Sequence, residues 1–154
     1  MKLTMNWSAP VPLAKGEVGI YTLDLGKIPR APGVYIFARK WGGSYEALYV
    51  GRSKRLRGRI RGHLNNLRLM QHLANSKTGK RVLIYGVPIT KPGQQQDKVL
   101  ASLEKAFIRH FLLEGHDLVN SQGTRIRNHE IESVGKVPKT FIPSVIYLER
   151  GKGE

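Results

Sequence analysis

Basic side chains are concentrated in the short segment RSKRLRGRIR, residues 52–61, which holds six basic residues and no acidic one. Arg55, Arg59 and His63 follow one another at steps of four, the spacing of neighbours on one face of a helix. A guanidinium binds phosphate through two hydrogen bonds and keeps its charge, so this row could bind and polarise a phosphate group. The alternative is a basic face that contacts a phosphate backbone and only positions it.

Glu104 is the carboxylate that stands out in the pattern. It lies at the edge of the apolar face of a helix predicted from about Asp97 to Glu114. A half-buried carboxylate needs a cation or hydrogen bonds to satisfy it. One interpretation is an ion pair with a basic residue such as Arg109. The other is a ligand for Mg²⁺, which prefers hard oxygens and takes only one or two protein carboxylates.

Two tyrosines and an asparagine complete the set of side chains that could do chemistry. Tyr35 and Tyr49 fall in two predicted strands, where a tyrosine is usually a packing residue with a solvated hydroxyl. Asn120 taken alone is a loop residue that caps its own turn. None of the three is informative by itself, so their interpretation depends on the elements that bring them together.

The first of these elements is a β-hairpin at residues 33–51, with the strands GVYIFARK and SYEALYVG and the turn WGG between them. Ser53 is a suitable N-cap for a helix from Lys54 to about Asn75, whose apolar residues recur at steps of three and four. Gly58 and Gly62 lie inside this helix. They predict that something approaches the backbone closely there.

The run RVLIYGV, residues 81–87, is a third predicted strand, and the helix that carries Glu104 follows it. The apolar segment FIPSVIYL near the C-terminus is a further strand candidate. The order of elements predicts an α/β (α+β) fold, a small central, mainly antiparallel three-stranded sheet flanked by helices. The length fits a single domain over residues 1–154. Its parts are a core at about 31–122 and short additions at 1–30 and 123–154.

Composition limits the possible partners. The 154 residues include 26 Lys and Arg against 11 Asp and Glu, a formal net charge of +15. Such an excess favours a polyanionic partner, with nucleic acid ahead of an anionic membrane surface. No apolar run approaches the roughly 18 residues of a spanning helix, and no continuous apolar segment of a secretory signal is visible, so we expect a cytoplasmic protein without a membrane partner. Since there is no Cys, any metal must be held by carboxylate, His or water.

Taken together, these positions resemble the GIY-YIG nuclease family. GVY at 33–35 and YVG at 49–51 lead into LYVGRSKRLRGRIRGHL, which is similar to the corresponding segment of the bacterial excision-repair nuclease and of phage homing endonucleases. Arg59 follows the last Gly of YVG by eight residues, where that family has its catalytic Arg. The remaining matches are His63 at a His-or-Tyr position, Glu104 at the metal-binding Glu and Asn120 at a late Asn. The resemblance covers about 31–122, and both tripeptides have Val in place of Ile.

The resemblance implies hydrolysis of a phosphodiester bond by water with one Mg²⁺ or Mn²⁺. Glu104 would hold the metal, and Arg59 would donate to the phosphate as negative charge builds on it. Tyr35 or Tyr49 would be the general base, although an ordinary phenol has a pKa of about 10 and needs nearby positive charge. His63 is a rival base. We favour a tyrosine as the base with His63 in support.

The same resemblance indicates the wider contacts. Asn120 would anchor the cleft by hydrogen bonds, and further contacts to substrate phosphates are expected from Arg52, Lys54, Arg55 and Arg57. DNA is the expected substrate, RNA is possible, and cutting at a palindrome would require a homodimer. Two other functions remain open: a non-catalytic nucleic-acid-binding module on the same fold, and a basic RNA-binding protein. The presence of the whole set of catalytic residue types favours the enzyme.

A literal GIY tripeptide also occurs, at Gly19–Tyr21, within the run VGIYTLDL. It is too far from YVG to form a tight hairpin with it, and two prolines lie between them. We therefore assign Tyr35 to the active site and Tyr21 to an added edge strand.

Overall fold

A computed structural model describes residues 2–16, 20–119, 126 and 128–150 of the chain. The strands in this part are β1 (Thr4–Trp7), β2 (Val11–Pro12), β3 (Ala14–Lys15), β4 (Tyr21–Thr22), β5 (Gly33–Trp41), β6 (Ser44–Ser53), β7 (Lys80–Ile89), β8 (Asn128–Glu132) and β9 (Val145–Glu149). The helices are α1 (Leu56–His63), α2 (Leu67–Asn75) and α3 (Gln96–Leu113). The predicted order of hairpin, helix, strand and helix is therefore present.

The central sheet has the strand order β1-β7-β5-β6, and β2 also pairs with β7. Every pairing within it is antiparallel. The predicted fold class, an antiparallel sheet flanked by helices, is confirmed. The three predicted strands form the middle and one edge of the sheet. The N-terminal segment extends it to five strands, because β1 pairs along β7 from Thr4 opposite Ile89 to Trp7 opposite Gly86.

The two faces of the sheet form two separate apolar clusters. Successive residues of β5 point to opposite faces, so Tyr35 and Phe37 join one cluster while Val34 and Ile36 join the other. The first cluster takes its helical members from α1 and α2, and the second takes them from α3. A β-bulge between Phe37 and Ala38 shifts the register against β6. Consequently Leu48 and Tyr49, although consecutive, both belong to the first cluster.

The single helix predicted over residues 54–75 is wrong, since the structure divides it into α1 and α2. The Asn66 side chain accepts a hydrogen bond from the Leu69 amide at 3.2 Å and caps the second helix. The apolar stripe continues across this break, which is why periodicity alone suggested one helix. Gly58 and Gly62 lie on the outer side of α1, and no atom is within 4 Å of a Cβ built at either of them. The predicted close approach is therefore not made by the described part of this chain.

The beginning of α1 is capped by backbone and not by the predicted N-cap side chain. The N-cap residue is Arg55, and the Ser53 hydroxyl instead accepts from the Arg55 amide at 2.9 Å. The first two helical amides, those of Leu56 and Arg57, donate to the carbonyl oxygens of Ala31 and Pro29. The segment just before β5 thus holds the start of α1 against the sheet.

Helix α3 ends as the sequence predicts. Gly115 has a φ of 79°, and its amide donates to Leu112 while the His116 amide donates to Phe111. This pair of bonds is a Schellman motif, in which glycine supplies the left-handed residue without steric strain. The Tyr147 ring of β9 lies against Gly115, in the space that a Cβ would occupy. The predicted C-terminal strand is thus β9, which pairs with β8 in a separate two-stranded sheet beside α3.

The edge strand expected around Tyr21 does not join the central sheet. Among the described residues of the predicted run, Tyr21 and Thr22 are in strand conformation, and they pair with β3 in a separate two-stranded sheet. Val18 and Gly19 lie outside the described residues. A 3₁₀ turn at Leu25–Lys27 follows, with the Asp24 side chain accepting from the Gly26 amide. The Tyr21 ring is buried in the first apolar cluster. It therefore packs the N-terminal segment onto the core without joining the edge of the central sheet.

Candidate active site

Two tyrosines and a histidine form an aromatic group between the hairpin and α1. The ring centroids of Tyr35 and His63 are 5.3 Å apart, and those of Tyr49 and His63 are 4.9 Å apart. The Tyr35 and Tyr49 rings are stacked at 6.0 Å. Phe37 closes the group on the side of the core. The register explains the arrangement, because Phe37 is opposite Tyr49 and Tyr35 is opposite Gly51.

The glycines of the two tripeptides have steric roles. A Cβ at Gly51 would overlap the phenol ring of Tyr35, so only glycine lets that ring lie across β6. A Cβ at Gly33 would overlap the backbone of Gly86 in β7 and the Leu56 side chain. Glycine at both positions lets the strands and α1 pack closely around Tyr35. The sequence shows the tripeptides, but the contacts that require glycine appear only once the strands are paired.

Tyr35 and His63 are joined by a short buried hydrogen bond. The Tyr35 hydroxyl lies 2.6 Å from the Nε2 atom of His63. Burial, and then the positive charge of Arg59, lower the pKa of His63 to about 4. The imidazole is therefore neutral near pH 7. In the tautomer that carries its proton on Nδ1, His63 accepts this hydrogen bond from the phenol.

The phenols are buried beside the exposed Arg59. Tyr35 and Tyr49 are only 1% and 2% exposed. Burial, and then the neighbouring phenol of Tyr49, raise the pKa of Tyr35 above its usual range, and burial likewise raises that of Tyr49. Arg59 acts in the opposite direction on both phenols but does not outweigh burial. Both tyrosines are therefore neutral near pH 7 in the free protein.

Glu104 reaches the same region from the opposite face of the sheet. Its Oε1 atom accepts a hydrogen bond at 2.9 Å from the Nη1 atom of Arg52, which lies at the C-terminal end of β6. Arg52 belongs to the β6 residues that point toward α3, as expected two positions after Val50. The negative charge of Glu104 contributes to raising the Tyr49 pKa. The site therefore lies at the β6 edge, where the surfaces of α1 and α3 meet.

The ion pair that the sequence suggested for Glu104 is thus formed with Arg52 and not with Arg109. The Glu104 side chain is 24% exposed and that of Arg52 is 45% exposed, so this pair is accessible to solvent and exchangeable. In the described residues no group of three or more His, Asp or Glu side chains could hold a metal ion. A single accessible carboxylate fits Mg²⁺, which commonly takes one or two carboxylates and completes its shell with water and substrate phosphate.

The predicted phosphate contacts fall into two sets. Arg52 and Lys54 are paired with acidic residues of α3, since the Lys54 ammonium lies 3.2 Å from Asp97 on the surface. Arg55 and Arg57 instead line a separate cavity together with two arginines that the sequence did not single out, Arg30 and Arg61. Of the row predicted through Arg55, Arg59 and His63, the last two lie together on α1, where the Arg59 charge acts on His63, whereas Arg55 is the N-cap residue and lines the separate cavity. Asn120 lies outside the described residues.

Comparison with known proteins identifies a family for this chain. The family model described as the GIY-YIG catalytic domain matches residues 31–114, more than half of the chain. Its range begins just before β5 and ends at the C-terminus of α3, so it includes Tyr35, Tyr49, Arg59, His63 and Glu104. Searches of curated proteins and of solved structures returned no significant match. No helix in the described residues is long and apolar enough to cross a membrane.

Proposed function

Since the chain belongs to the GIY-YIG family of nuclease domains, we propose that it is a metal-dependent endonuclease that hydrolyses phosphodiester bonds of DNA. The observation that carries this proposal is the convergence of Tyr35, His63, Arg59 and Glu104 on one edge of the sheet. Residues from three separate segments of the chain, β5, α1 and α3, meet there, and their side chains are of the types that phosphate hydrolysis uses. A structural role alone would not require an exposed arginine beside two buried phenols and a carboxylate.

Glu104 is the proposed ligand for a divalent cation, with Mg²⁺ or Mn²⁺ as the matching ions. A cation bound there would supply charge stabilisation for the scissile phosphate and the leaving oxygen. In the free protein the Arg52 guanidinium forms an ion pair with the Glu104 carboxylate. When Glu104 binds a cation, this exposed guanidinium can contact a substrate phosphate instead. We therefore assign Arg52 to phosphate binding next to the metal ligand.

Arg59 is the proposed donor to the scissile phosphate. It is exposed, it stays charged, and the phenol of Tyr35 raises its pKa further. The Arg59 charge lowers the pKa of His63, so pairing of Arg59 with a phosphate weakens that effect. Substrate binding thus makes His63 a better proton acceptor. When Arg59 is paired with a phosphate, its positive charge no longer stabilises an ionised Tyr35. This favours a mechanism in which Tyr35 loses its proton to His63 as it takes one from water, over one in which Tyr35 ionises first.

The proposed general base is Tyr35 acting together with His63. The Tyr35 oxygen takes a proton from the attacking water while its own proton moves to Nε2 of His63, 2.6 Å away. The resulting hydroxide attacks phosphorus, the P–O bond to the leaving oxygen breaks, and the histidine is left as imidazolium. Tyr49 stacks on Tyr35 and holds its ring in place. The leaving oxygen takes a proton from solvent water, and His63 returns its proton through Tyr35 to solvent, which restores the neutral pair.

One observation favours a second function, a nucleic-acid-binding module without catalysis. Glu104 already has a partner in Arg52, so a structural ion pair would account for its position. That interpretation leaves the short bond between Tyr35 and His63 without a role in binding. It predicts salt-sensitive binding of DNA and no cleavage at any metal concentration.

The test is nicking of supercoiled plasmid with Mg²⁺, with and without EDTA. We expect cleavage that EDTA abolishes, and a loss of at least about a hundredfold in rate for Glu104→Ala, because the proposed metal ligand is removed. Glu132→Ala, which removes an exposed carboxylate of β8, is the matched control and should cleave like the wild type. Absence of cleavage by the wild type would favour the binding module, and equal cleavage by Glu104→Ala would show that the metal is held elsewhere.

A further inference from the structure

A basic cavity lies on the flank of α1 away from Arg59. It has a volume of about 260 Å³ and is lined by Arg30, Arg55, Arg57, Gly58 and Arg61. At 100° per residue, Arg57 and Arg61 lie on one side of the buried residues of α1, and Arg59 lies on the other. Four of the five lining residues are arginines. The cavity is therefore distinct from the candidate active site, although the same short helix carries both.

The four arginines of this cavity have no acidic partner among the described residues. Arg52 and Lys54, only a few positions earlier, are each paired with a carboxylate of α3. Four like charges around one concave space repel each other unless an anion joins them. The sequence places no carboxylate from 25 to 45 in the chain, so the local segment offers none. The charge of the cavity points to an anion from outside the chain.

The fold holds the cavity open before any ligand arrives. The amides of Leu56 and Arg57 donate to the carbonyl oxygens of Ala31 and Pro29, which brings the segment with Arg30 beside α1. The Nε atom of Arg57 donates to the carbonyl oxygen of Ile28 at 2.7 Å. Ile28 itself is fully buried. Arg57 is thus fixed on a rigid anchor while its terminal nitrogens stay available, the arrangement that lowers the entropy lost on binding.

Gly58 gives this cavity direct access to the helix backbone. It is the third residue of α1, and its amide has no acceptor among the hydrogen bonds of the described residues. No atom lies within 4 Å of a Cβ built at this position. An anion can therefore approach the first turn of the helix, where the Gly58 amide and the helix dipole favour negative charge. The guanidiniums and the glycine supply two independent reasons for an anion at the same place.

We propose that this cavity binds a second phosphate group of the nucleic acid, separate from the phosphate that is hydrolysed. The inference rests on the proposed function and deepens it, because it names how the substrate is held. Arg59 and this cavity lie on opposite sides of α1, so one bound phosphate on each side fixes the register of the strand across the helix. The cavity thereby positions the bond to be cut without reading any base. A backbone phosphodiester and a terminal phosphate share the chemistry that it recognises.

The test measures binding in EDTA, so that it does not depend on cleavage. Fluorescence anisotropy would be recorded with two short labelled DNA duplexes containing a nick, one with a 5′-phosphate and one with a 5′-hydroxyl at the nick. The variants are Arg30→Gln, Arg61→Gln and Gly58→Ala. The controls are Arg109→Gln, which removes one exposed charge of α3, and Gly62→Ala, which adds the same methyl group to the same helix in open space.

We expect the three cavity variants to weaken binding by about tenfold, with the salt slope of the arginine variants reduced by about one. The two controls should stay within about twofold of the wild type. Equal losses on both duplexes identify a backbone phosphate, and losses only on the 5′-phosphate duplex identify a terminal one. Cavity variants that behave like their controls would overturn the inference. Tight, cavity-dependent binding without cleavage in Mg²⁺ would overturn the proposed function and leave the cavity intact.

Discussion

Tyr35 and Tyr21 both end a Gly-x-Tyr tripeptide, yet their surroundings differ. Tyr35 lies on the central sheet with its hydroxyl 2.6 Å from His63. Tyr21 belongs to the small β3–β4 sheet and packs its ring into the core. The functional assignment of the imperfect copy, made from its compact spacing and strand-turn-strand context, stays a prediction, and these two environments make it testable.

Removal of one hydroxyl should separate these two tyrosines. We expect Tyr35→Phe to slow cleavage by at least about a hundredfold, because the proposed proton transfer to His63 is lost while the ring still packs. Tyr21→Phe should cleave at nearly the wild-type rate. Single-turnover plasmid nicking in Mg²⁺ compares them. Greater damage from Tyr21→Phe would return the active site to the literal tripeptide.

The low pKa of His63 makes stability depend on pH. In the folded protein the pKa is about 4, so the unfolded chain, with a histidine pKa of about 6.5, binds this proton more readily. The contribution of His63 is complete above about pH 6.5 and is lost as the pH falls toward 4, by about 3 kcal/mol in all. His116, whose pKa burial also lowers, acts in the same direction.

Urea unfolding at a series of pH values measures this effect. Carboxylates titrate in the same acidic range, so the comparison is between the wild type and His63→Gln. We expect the free energy of unfolding of the variant to fall less steeply between about pH 6.5 and 4, since its side chain cannot take up a proton. Parallel curves for the two proteins would show that His63 is not held neutral.

At the scale of the elements, glycines divide into those that the packing requires and those that it does not. Gly51 faces the Tyr35 ring, whereas the position of a Cβ at Gly62 is open. We expect Gly51→Ala to destabilise the protein by about 1–3 kcal/mol and to impair cleavage, because the ring must move. Gly62→Ala should stabilise α1 by up to about 1 kcal/mol. Thermal unfolding of both variants checks the signs, and a neutral Gly51→Ala would contradict the packing.

The elements also show what the sequence could and could not predict. The hairpin, the third strand and α3 follow from local signals, namely β-branched and aromatic runs, Gly turns and the C-terminal Gly115. The break between α1 and α2 was missed because the apolar stripe runs through it, although Asn66 is a cap signal. Strands β1 and β2 were missed because they are short and lie among prolines. Their stability comes from pairing with β7, which local patterns do not reveal.

The candidate site likewise has features that the sequence could predict and features that it could not. The residue types and their order could be recognised, since they follow motifs on predictable elements. The hydrogen-bond partners of these residues could not be predicted, because they are far apart in sequence. Tyr35 and His63 are 28 residues apart, and Arg52 and Glu104 are 52 residues apart. Arg30 was overlooked because it precedes the motif in sequence. Only the docking of Pro29 and Ala31 on α1 brings it into the basic cavity.

For the whole molecule, the excess of positive charge is organised around one helix. Six of the 26 Lys and Arg lie in residues 52–61, and α1 presents Arg59 on one flank and the four-arginine cavity on the other. Charge of this kind attracts any polyanion and makes binding strongly salt-dependent. Binding alone therefore does not distinguish an enzyme from a basic module. What distinguishes them is whether Arg59 acts on the transition state or only on affinity.

The most direct test of the account is the single-turnover rate of plasmid nicking in Mg²⁺ at saturating protein, for the wild type and Arg59→Ala. Saturation removes the contribution of affinity, so any remaining difference belongs to the chemical step. The account predicts cleavage by the wild type and a rate at least about a hundredfold lower for Arg59→Ala. Equal rates at saturation, or a wild type that does not cleave, would contradict it.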